Sequence, residues 1–307
     1  MARAKAAEAD GLRVRGVRIS SPDKVLWPEQ GVTKGELFAY YTAVADAMLP
    51  QLVDRPLTLV RCPSGAESKC FYQKHANDQV PDIIPRVAVE ERDGTEPYMV
   101  VDGLPSLIAL VQLGVLEFHV WGSRRDRLDR PDRLVFDLDP DEDLAFGEVA
   151  RAALDLRERL RALGLESFAK STGGKGLHVV VPITRRSDWE GARTFTQAVA
   201  RAMVADEPER FTAKMSKSRR TGRIFVDYLR NAFNATAIAD YSTRARPGAP
   251  VAAPLAWDEV DPDADAPPSH TIRSVPGRLA ADADPWAGYD AVRQSITARM
   301  RKAVGAD

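Results

Sequence analysis

Two aspartates one residue apart close an apolar run, Leu134-Val135-Phe136-Asp137-Leu138-Asp139-Pro140. Side chains of a β-strand repeat every second residue, so Asp137 and Asp139 project from one face and can share a divalent cation. Aspartates at strand ends also form turns and caps, and the spacing alone does not separate the two roles. A third aspartate, Asp227, stands in a second strand-like run, Arg223-Ile224-Phe225-Val226-Asp227-Tyr228-Leu229, rich in β-branched and aromatic residues. Three carboxylates converging from two strands carry more charge than one bound cation neutralises, which suits paired hard ions such as Mg²⁺ or Mn²⁺. Paired ions support in-line phosphoryl transfer, one activating the attacking oxygen and the other supporting the leaving group. That chemistry requires the two strands to lie side by side.

Between the carboxylates runs Lys170-Ser171-Thr172-Gly173-Gly174-Lys175-Gly176-Leu177-His178, followed by Val179-Val180-Val181-Pro182. Three glycines allow a tight turn with amides aimed at an anion, and Ser171, Thr172, Lys175 and His178 add donors for phosphate oxygens. The pattern is not G-x-x-x-x-G-K-[ST], which opens a helix, whereas this segment leads into a strand. A hairpin turn beside a solvated lysine is the alternative, and for His178 a core histidine at a strand start.

The elements able to position these groups follow from periodicity and end signals. A helix starts at Thr33, with Glu36 closing a capping box, and places Leu37, Tyr40, Tyr41, Val44 and Met48 on one face. Strands are expected at Leu57–Arg61, Tyr98–Asp102, Val115–Val120 and Arg133–Asp139, with helices near Pro105–Leu113, Phe146–Leu163 stopped by Gly164, and Trp189–Ala205 capped by Asp188. Pro247–Pro268 reads as an extended, surface-hugging segment and Trp286–Ala303 as a closing helix. The alternation of strands and helices gives an α/β or α+β fold class.

A chain of 307 residues that is 44% hydrophobic can bury a sizeable core, and its length fits about two lobes. No apolar stretch approaches the roughly 20 residues that span a membrane, and Met1–Asp10 holds no signal-peptide core, so a cytoplasmic protein is expected. Cys62 and Cys70 imply no disulfide framework, and with His75 they supply only three ligands for a structural zinc; reduced thiols are expected. The net charge of −1 argues against indiscriminate nucleic-acid binding, but Arg210–Arg246 holds nine basic residues against two acidic ones. A basic block around the Asp227 strand is where a polyanion would be held. Within it, Lys214–Gly222 reads as a mobile basic loop in which Lys217, Arg219 and Arg220 follow primer or template.

The ordered set L-V-F-D-L-D-P, S-T-G-G-K-G-L-H and F-V-D-Y-L-R-N resembles the polymerase domain of bacterial ATP-dependent DNA ligase D, of the archaeo-eukaryotic primase superfamily. The resemblance extends to Asp23-Lys24-Val25-Leu26-Trp27-Pro28, Arg55–Pro63, Phe71-Tyr72-Gln73-Lys74-His75 and Glu117-Phe118-His119-Val120-Trp121-Gly122-Ser123, covering roughly residues 18–290. It implies a mixed-sheet catalytic core with an RRM-like half and an N-terminal lobe. Within a single primase-polymerase domain over 1–307, the lobes fall near 15–125 and 126–246, followed by the extended segment and closing helix of 247–307. By resemblance Asp137, Asp139 and Asp227 are the metal triad, and His119, Thr172, Lys175, His178, Arg244 and Arg246, with Ser171 and Phe71, hold the incoming triphosphate. Phe71 and Tyr72 match an aromatic pair that stacks on bases, one ring of which would be buried were the strand simply core. Lys24 and Lys34 match lysines that grip a downstream 5′-phosphate, although each alone would be an ordinary surface lysine. The turn departs from the family in reading Ser171-Thr172 where Thr-Ser is commoner, and keeps both hydroxyls.

The resulting expectation is a template-dependent nucleotidyltransferase that extends a primer with nucleoside triphosphates, ribonucleotides and Mn²⁺ favoured by the family, at gaps and broken ends in non-homologous end joining. Its expected partners are gapped or broken double-stranded DNA with a 5′-phosphate, Ku, and a DNA ligase in cis or in trans, because no K-x-D-G ligase motif occurs. A gap-repair primase-polymerase outside end joining, a DNA-end binding module and a metal-dependent nuclease are the alternatives.

Overall fold

Thr33 accepts a bond from the Glu36 amide at 3.2 Å and the Glu36 carboxylate accepts from the Thr33 amide at 2.8 Å. This is the expected reciprocal cap, and helix α1 (Lys34–Ala43) starts there in the computed structural model, which describes residues 13–14, 16–281 and 284–306. The single helix expected through Met48 is broken at Val44 and resumes as α2 (Ala45–Leu52). The apolar face survives the break, since Leu37, Tyr40, Tyr41, Val44 and Met48 are all buried. The Tyr40 hydroxyl donates to Tyr241 O and that of Tyr41 meets Thr243 Oγ1, so both buried phenols are satisfied.

By contacts the chain divides into two units. The first comprises Met1–Val120, Tyr241–Val251 and Thr271–Asp282, and the second Trp121–Asp240, Ala252–His270 and Ala283–Asp307. In the first unit β1 (Leu57–Arg61) pairs antiparallel with β2 (Phe71–Gln73) and with β3 (Val115–Trp121), which follows helix α3 (Leu104–Gln112). The strand expected at Tyr98–Asp102 lies earlier, at Gly94–Met99, in a hairpin with Arg86–Glu91. The Asp102 amide is taken instead by Ser106 Oγ at 3.0 Å, which commits that end to the start of α3.

The register sets Arg61 opposite Phe71, which carries Cys62 and Cys70 to facing positions at the loop end of the hairpin. Their Cα atoms are 4.3 Å apart and the pair is disulfide-bonded, correcting the expectation of reduced thiols. A loop this short still constrains the unfolded chain by about 2–3 kcal/mol. Changing both cysteines to serine should lower the denaturant midpoint of the oxidised protein accordingly. Identical midpoints would deny the staple any role.

The second unit is built on a six-stranded mixed sheet. Its strands are β4 (Arg133–Pro140), β5 (Phe168–Ser171), β6 (Leu177–Pro182), β7 (Phe211–Thr212), β8 (Ile224–Asp227) and β9 (Pro254–Leu255), in the order β7-β8-β4-β6-β5-β9. All pairings are antiparallel except β7 with β8. Helices α4 (Phe146–Ala162) and α5 (Trp189–Asp206) bury Val149, Leu156, Phe195 and Met203 in one cluster with Leu134, Phe136 and Leu138 of β4 and Leu177, Val179 and Val181 of β6. Asp188 caps α5 as expected, and α4 ends before Gly164, whose φ of +84° few other residues adopt.

This core fixes which way the aspartates point. Each fully buried leucine, valine or phenylalanine contributes about 1.5–3 kcal/mol, so a one-residue slip of β4 would expose several and drive Asp137 into the helix-covered face. On the opposite face Val135, Phe168 and Val180 cluster with Trp286 and Tyr289. The closing helix expected over Trp286–Ala303 is therefore confined to Ala298–Val304. Gly288 turns the chain at φ +90°, the Trp286 and Tyr289 rings stack at 4.8 Å, and Trp286 Nε1 donates to Ala169 O, so these aromatics cover the sheet and only a short 3-10 turn (Tyr289–Ala291) forms in place of the α-helix. Likewise the segment expected to hug the surface contributes β9 and buries Ala252, Ala253 and Leu255. Among the described residues no helix is long and apolar enough to cross a membrane.

Candidate active site

The sheet register assembles the site. Asp137 on β4 lies directly opposite Asp227 on β8 and, on its other side, opposite His178 on β6, which in turn faces Lys170 on β5. Register partners share a face, so Lys170, His178, Asp137 and Asp227 form one row across four strands. Asp139 projects from the same face two residues further along β4, opposite Phe225. The two aspartate-bearing strands thus converge as the sequence requires.

Asp227 is buried, Asp137 nearly so and Asp139 half-exposed, and each is already paired. Arg230 reaches Asp137 at 3.0 Å and Asp227 at 3.2 Å, while Arg220 reaches Asp139 at 2.5 Å. Burial alone would raise Asp137, but the neighbouring His178 and Arg230 hold its carboxyl far below the ordinary range. Asp139 is raised by burial and by the charge of Asp137 against the pull of Arg220. Asp227 is also raised, burial and Asp137 together outweighing Arg230. Burial lowers the His178 pKa against the opposing pull of Asp137, and its Nε2 lies 3.5 Å from Asp137. Among the described residues no three side chains are gathered closely enough to form a ready-made metal cage. The donors are nonetheless all carboxylate oxygens on one face, the set that hard cations such as Mg²⁺ or Mn²⁺ take.

The glycine-rich turn folds against these aspartates. A Cβ on Gly176 would lie 2.9 Å from Leu138 O and 3.8 Å from Asp137 Oδ1, so only glycine permits that approach. Thr172 Oγ1 donates to Gly176 O at 3.0 Å, and Lys175 Nζ bonds Glu142 O at the exposed rim. Ser171 corrects the expectation of a triphosphate ligand. It is buried, and its hydroxyl exchanges bonds with the Ala253 backbone. Arg220, expected on primer or template, folds here onto Asp139 and the Phe225 ring. Arg219 is exposed in a short 3-10 turn (Lys217–Arg219), and the Lys217 side chain lies outside the described part. The basic block as a whole is less free than counting implies, because Arg210 pairs with Glu207 and Arg223 with Glu209.

In the first unit, Glu117 organises the remaining nucleotide-site candidates. Its carboxylate meets His119 Nε2 at 2.9 Å, Arg244 Nε at 3.1 Å and the Ala245 amide at 2.8 Å. Burial pushes Glu117 up, but the His119 bond and the Arg244 charge outweigh it and hold the carboxyl at about 2. Arg246 is exposed just beyond. On β2 neither aromatic is core, since Phe71 is 42% and Tyr72 73% exposed. Arg61 lies over the Phe71 ring, and Tyr72 tilts toward His119 with ring centroids 6.5 Å apart.

Lys24 and Lys34 line one cleft of about 220 Å³ with Ser20, Ser21, Pro63 and Gln112. Lys34 is buried and donates to Ser20 O at 3.1 Å and Gln112 O at 3.3 Å, and burial with the nearby Lys24 charge lowers its pKa. The first amides of α1 are not free. Lys34 N bonds Lys24 O and Gly35 N bonds Pro22 O, so the two ammonium groups carry any attraction for an anion.

Arg230, Lys170, Asp240 and Glu117 escaped the sequence reading. Lys170 Nζ lies 2.8 Å from Asp240 Oδ1 with both groups buried, and each of the four depends on a partner distant in sequence or fixed by sheet register. For Arg230 alone a signal existed, its i+3 spacing from Asp227.

The family described as LigD, primase-polymerase domain, matches residues 33–286. The chain is 39% identical over 307 residues to the multifunctional non-homologous end joining protein LigD of Pseudomonas aeruginosa, covering 99% of this chain and 36% of that protein. It is 32% identical over 272 residues to the bifunctional LigD of Bacillus subtilis, covering 88% of this chain and 43% of that protein. The polymerase domain of Mycobacterium tuberculosis ligase D, solved in complex with DNA, superposes with a TM-score of 0.84 at 34% identity, covering 90% of this chain and 98% of that one. The chain thus spans less than half the length of these two LigD proteins, and it belongs to the LigD primase-polymerase family.

Proposed function

We propose that this chain extends a primer 3′-hydroxyl with nucleoside triphosphates on a DNA template, filling gaps and broken ends in non-homologous end joining. The observation that carries the reading is the register that sets Asp137 against Asp227, with Asp139 beside them and the Gly176 turn pressed onto the same strand. Asp137, Asp139 and Asp227 would hold Mn²⁺ or Mg²⁺, which when bound supply activation of the hydroxyl and offset of the leaving pyrophosphate's charge. His178, Thr172 and Lys175 orient triphosphate oxygens beside these aspartates. In the first unit His119, Arg244 and Arg246 are nucleotide-binding residues on the family resemblance, with Glu117 fixing the first two. Phe71 and Tyr72 offer exposed rings to bases of any sequence, each stack worth about 1–3 kcal/mol. Ribonucleotides, Ku and a ligase complete the proposed setting in the bacterial cytoplasm.

The test is extension of a labelled primer across a gap, with each triphosphate omitted in turn and with Mn²⁺ or Mg²⁺. Template-matched, triphosphate-dependent growth is expected. Shortening of the DNA by metal alone would instead identify a nuclease.

Lys24 and Lys34 are proposed to read a 5′-phosphate across the gap. Two ammonium groups on a terminal dianion should favour phosphorylated over unphosphorylated gaps by tenfold to a hundredfold, or about 1–3 kcal/mol. The double change to alanine should erase that preference in titrations at fixed salt and leave extension on simple recessed templates nearly intact. Equal wild-type affinity for both gaps would refute end recognition and favour a general gap polymerase.

A further inference from the structure

Arg230 is the basic residue that spans two of the three aspartates. Its guanidinium lies 3.0 Å from Asp137 Oδ2 through Nη2 and 3.2 Å from Asp227 Oδ2 through Nε. Its backbone is held in place: the Leu229–Asn231 turn is fixed to β4 because Asn231 accepts from the Val135 amide and donates to the Val135 carbonyl, both at 2.7 Å. The side chain itself is 40% exposed, against 14% for Asp137 and 10% for Asp227, so it lies on the solvent side of the two carboxylates. A fixed backbone beneath a half-exposed arginine lets the guanidinium turn outward without moving the sheet.

A carboxylate oxygen that accepts a guanidinium N–H is poorly available to a divalent cation, and the two cations repel each other at that separation. Phosphate oxygens suit the same planar fork, so a triphosphate bound beside the row can draw Arg230 off the aspartates. We propose that Arg230 is a counter-cation and positioning residue that competes with divalent ions for Asp137 and Asp227 and passes to the triphosphate when it binds. Ion entry is thereby tied to nucleotide arrival. The inference rests on the metal-triad reading given above.

The experiment separates the two. Mn²⁺ affinity is measured without nucleotide by the electron paramagnetic resonance signal of the free ion. Affinity for the α,β-imido analogue of ATP is then measured at saturating Mn²⁺. Arg230→Gln should bind Mn²⁺ about tenfold tighter and the analogue about tenfold more weakly, a coupling of ordinary size for linked sites. Arg230→Lys keeps the charge without the fork, and should move both affinities in the same directions by smaller factors. It also serves if the glutamine variant fails to fold. Opposite signs are the signature, because a merely structural role would weaken both. Unchanged or weaker Mn²⁺ binding in the variants would overturn the proposal. Asp227→Asn tests the underlying triad: Mn²⁺ affinity equal to wild type there would sink the metal reading itself, whatever Arg230 does.

Discussion

Changing Asp137, Asp139 or Asp227 to alanine is expected to lower nucleotide addition by about a hundredfold to a thousandfold or more, while affinity for gapped DNA stays within a few fold. On the proposed triad, each carboxylate removed would take away a fixed charge at the reacting phosphate, a loss of that order in other preorganised sites. DNA affinity should survive because the residues proposed to carry it lie elsewhere, including the exposed rings of Phe71 and Tyr72 and the Lys24 and Lys34 cleft. The three variants should differ in stability. Asp139 is half-exposed and its loss frees only Arg220, whereas Asp137 is nearly buried against His178 and Arg230. Extension assays, gel shifts and thermal melts on the same preparations check all three points. Near-wild-type turnover in a folded Asp137→Ala variant would falsify the triad.

The sequence is most legible where local physics decides. Alternation of Leu134, Phe136 and Leu138 with Asp137 and Asp139 gave strand and face together, because one face had to meet the helices. The Thr33 and Asp188 caps lie where hydroxyl and carboxylate spacing put them. Failures came where a distant partner decided. Arg220 reads as a free cation in a basic loop until β4 places Asp139 beside it. Ser171 reads as a phosphate donor until the Ala253 backbone arrives from a segment 82 residues away. Cys62 and Cys70 face each other only through the register of β1 with β2, which no spacing rule for thiols contains. Trp286 and Tyr289 have helix-compatible neighbours, yet burying both rings against Phe168 outweighs one more turn of helix.

The largest stability effect should come from Asp240. Its carboxylate is buried, 2.8 Å from Lys170 Nζ and 3.6 Å from Arg133 Nη1, and both of those cations are buried as well. Burial already lowers the Lys170 pKa against the stabilising charge of Asp240. Removing the carboxylate alone therefore leaves two buried positive charges poorly compensated, and breaking such a pair from one side costs about 3–5 kcal/mol. Asp240→Asn keeps the shape and should show nearly the whole effect in denaturant unfolding. Adding Lys170→Met should return part of it, since one of the stranded charges is then gone, and the two changes should be strongly non-additive. Activity provides a second readout. Lys170 stands in the same row as His178 and Asp137, so a lysine released from Asp240 would disturb the groups proposed to orient the triphosphate. The single variant should lose turnover even at temperatures where it remains folded, and the double variant should not regain it, because Lys170 is then missing from the row. Stability of Asp240→Asn within about 1 kcal/mol of wild type would show that water or a rearranged arginine compensates the lysine, and the buried network would then have no claim on the site.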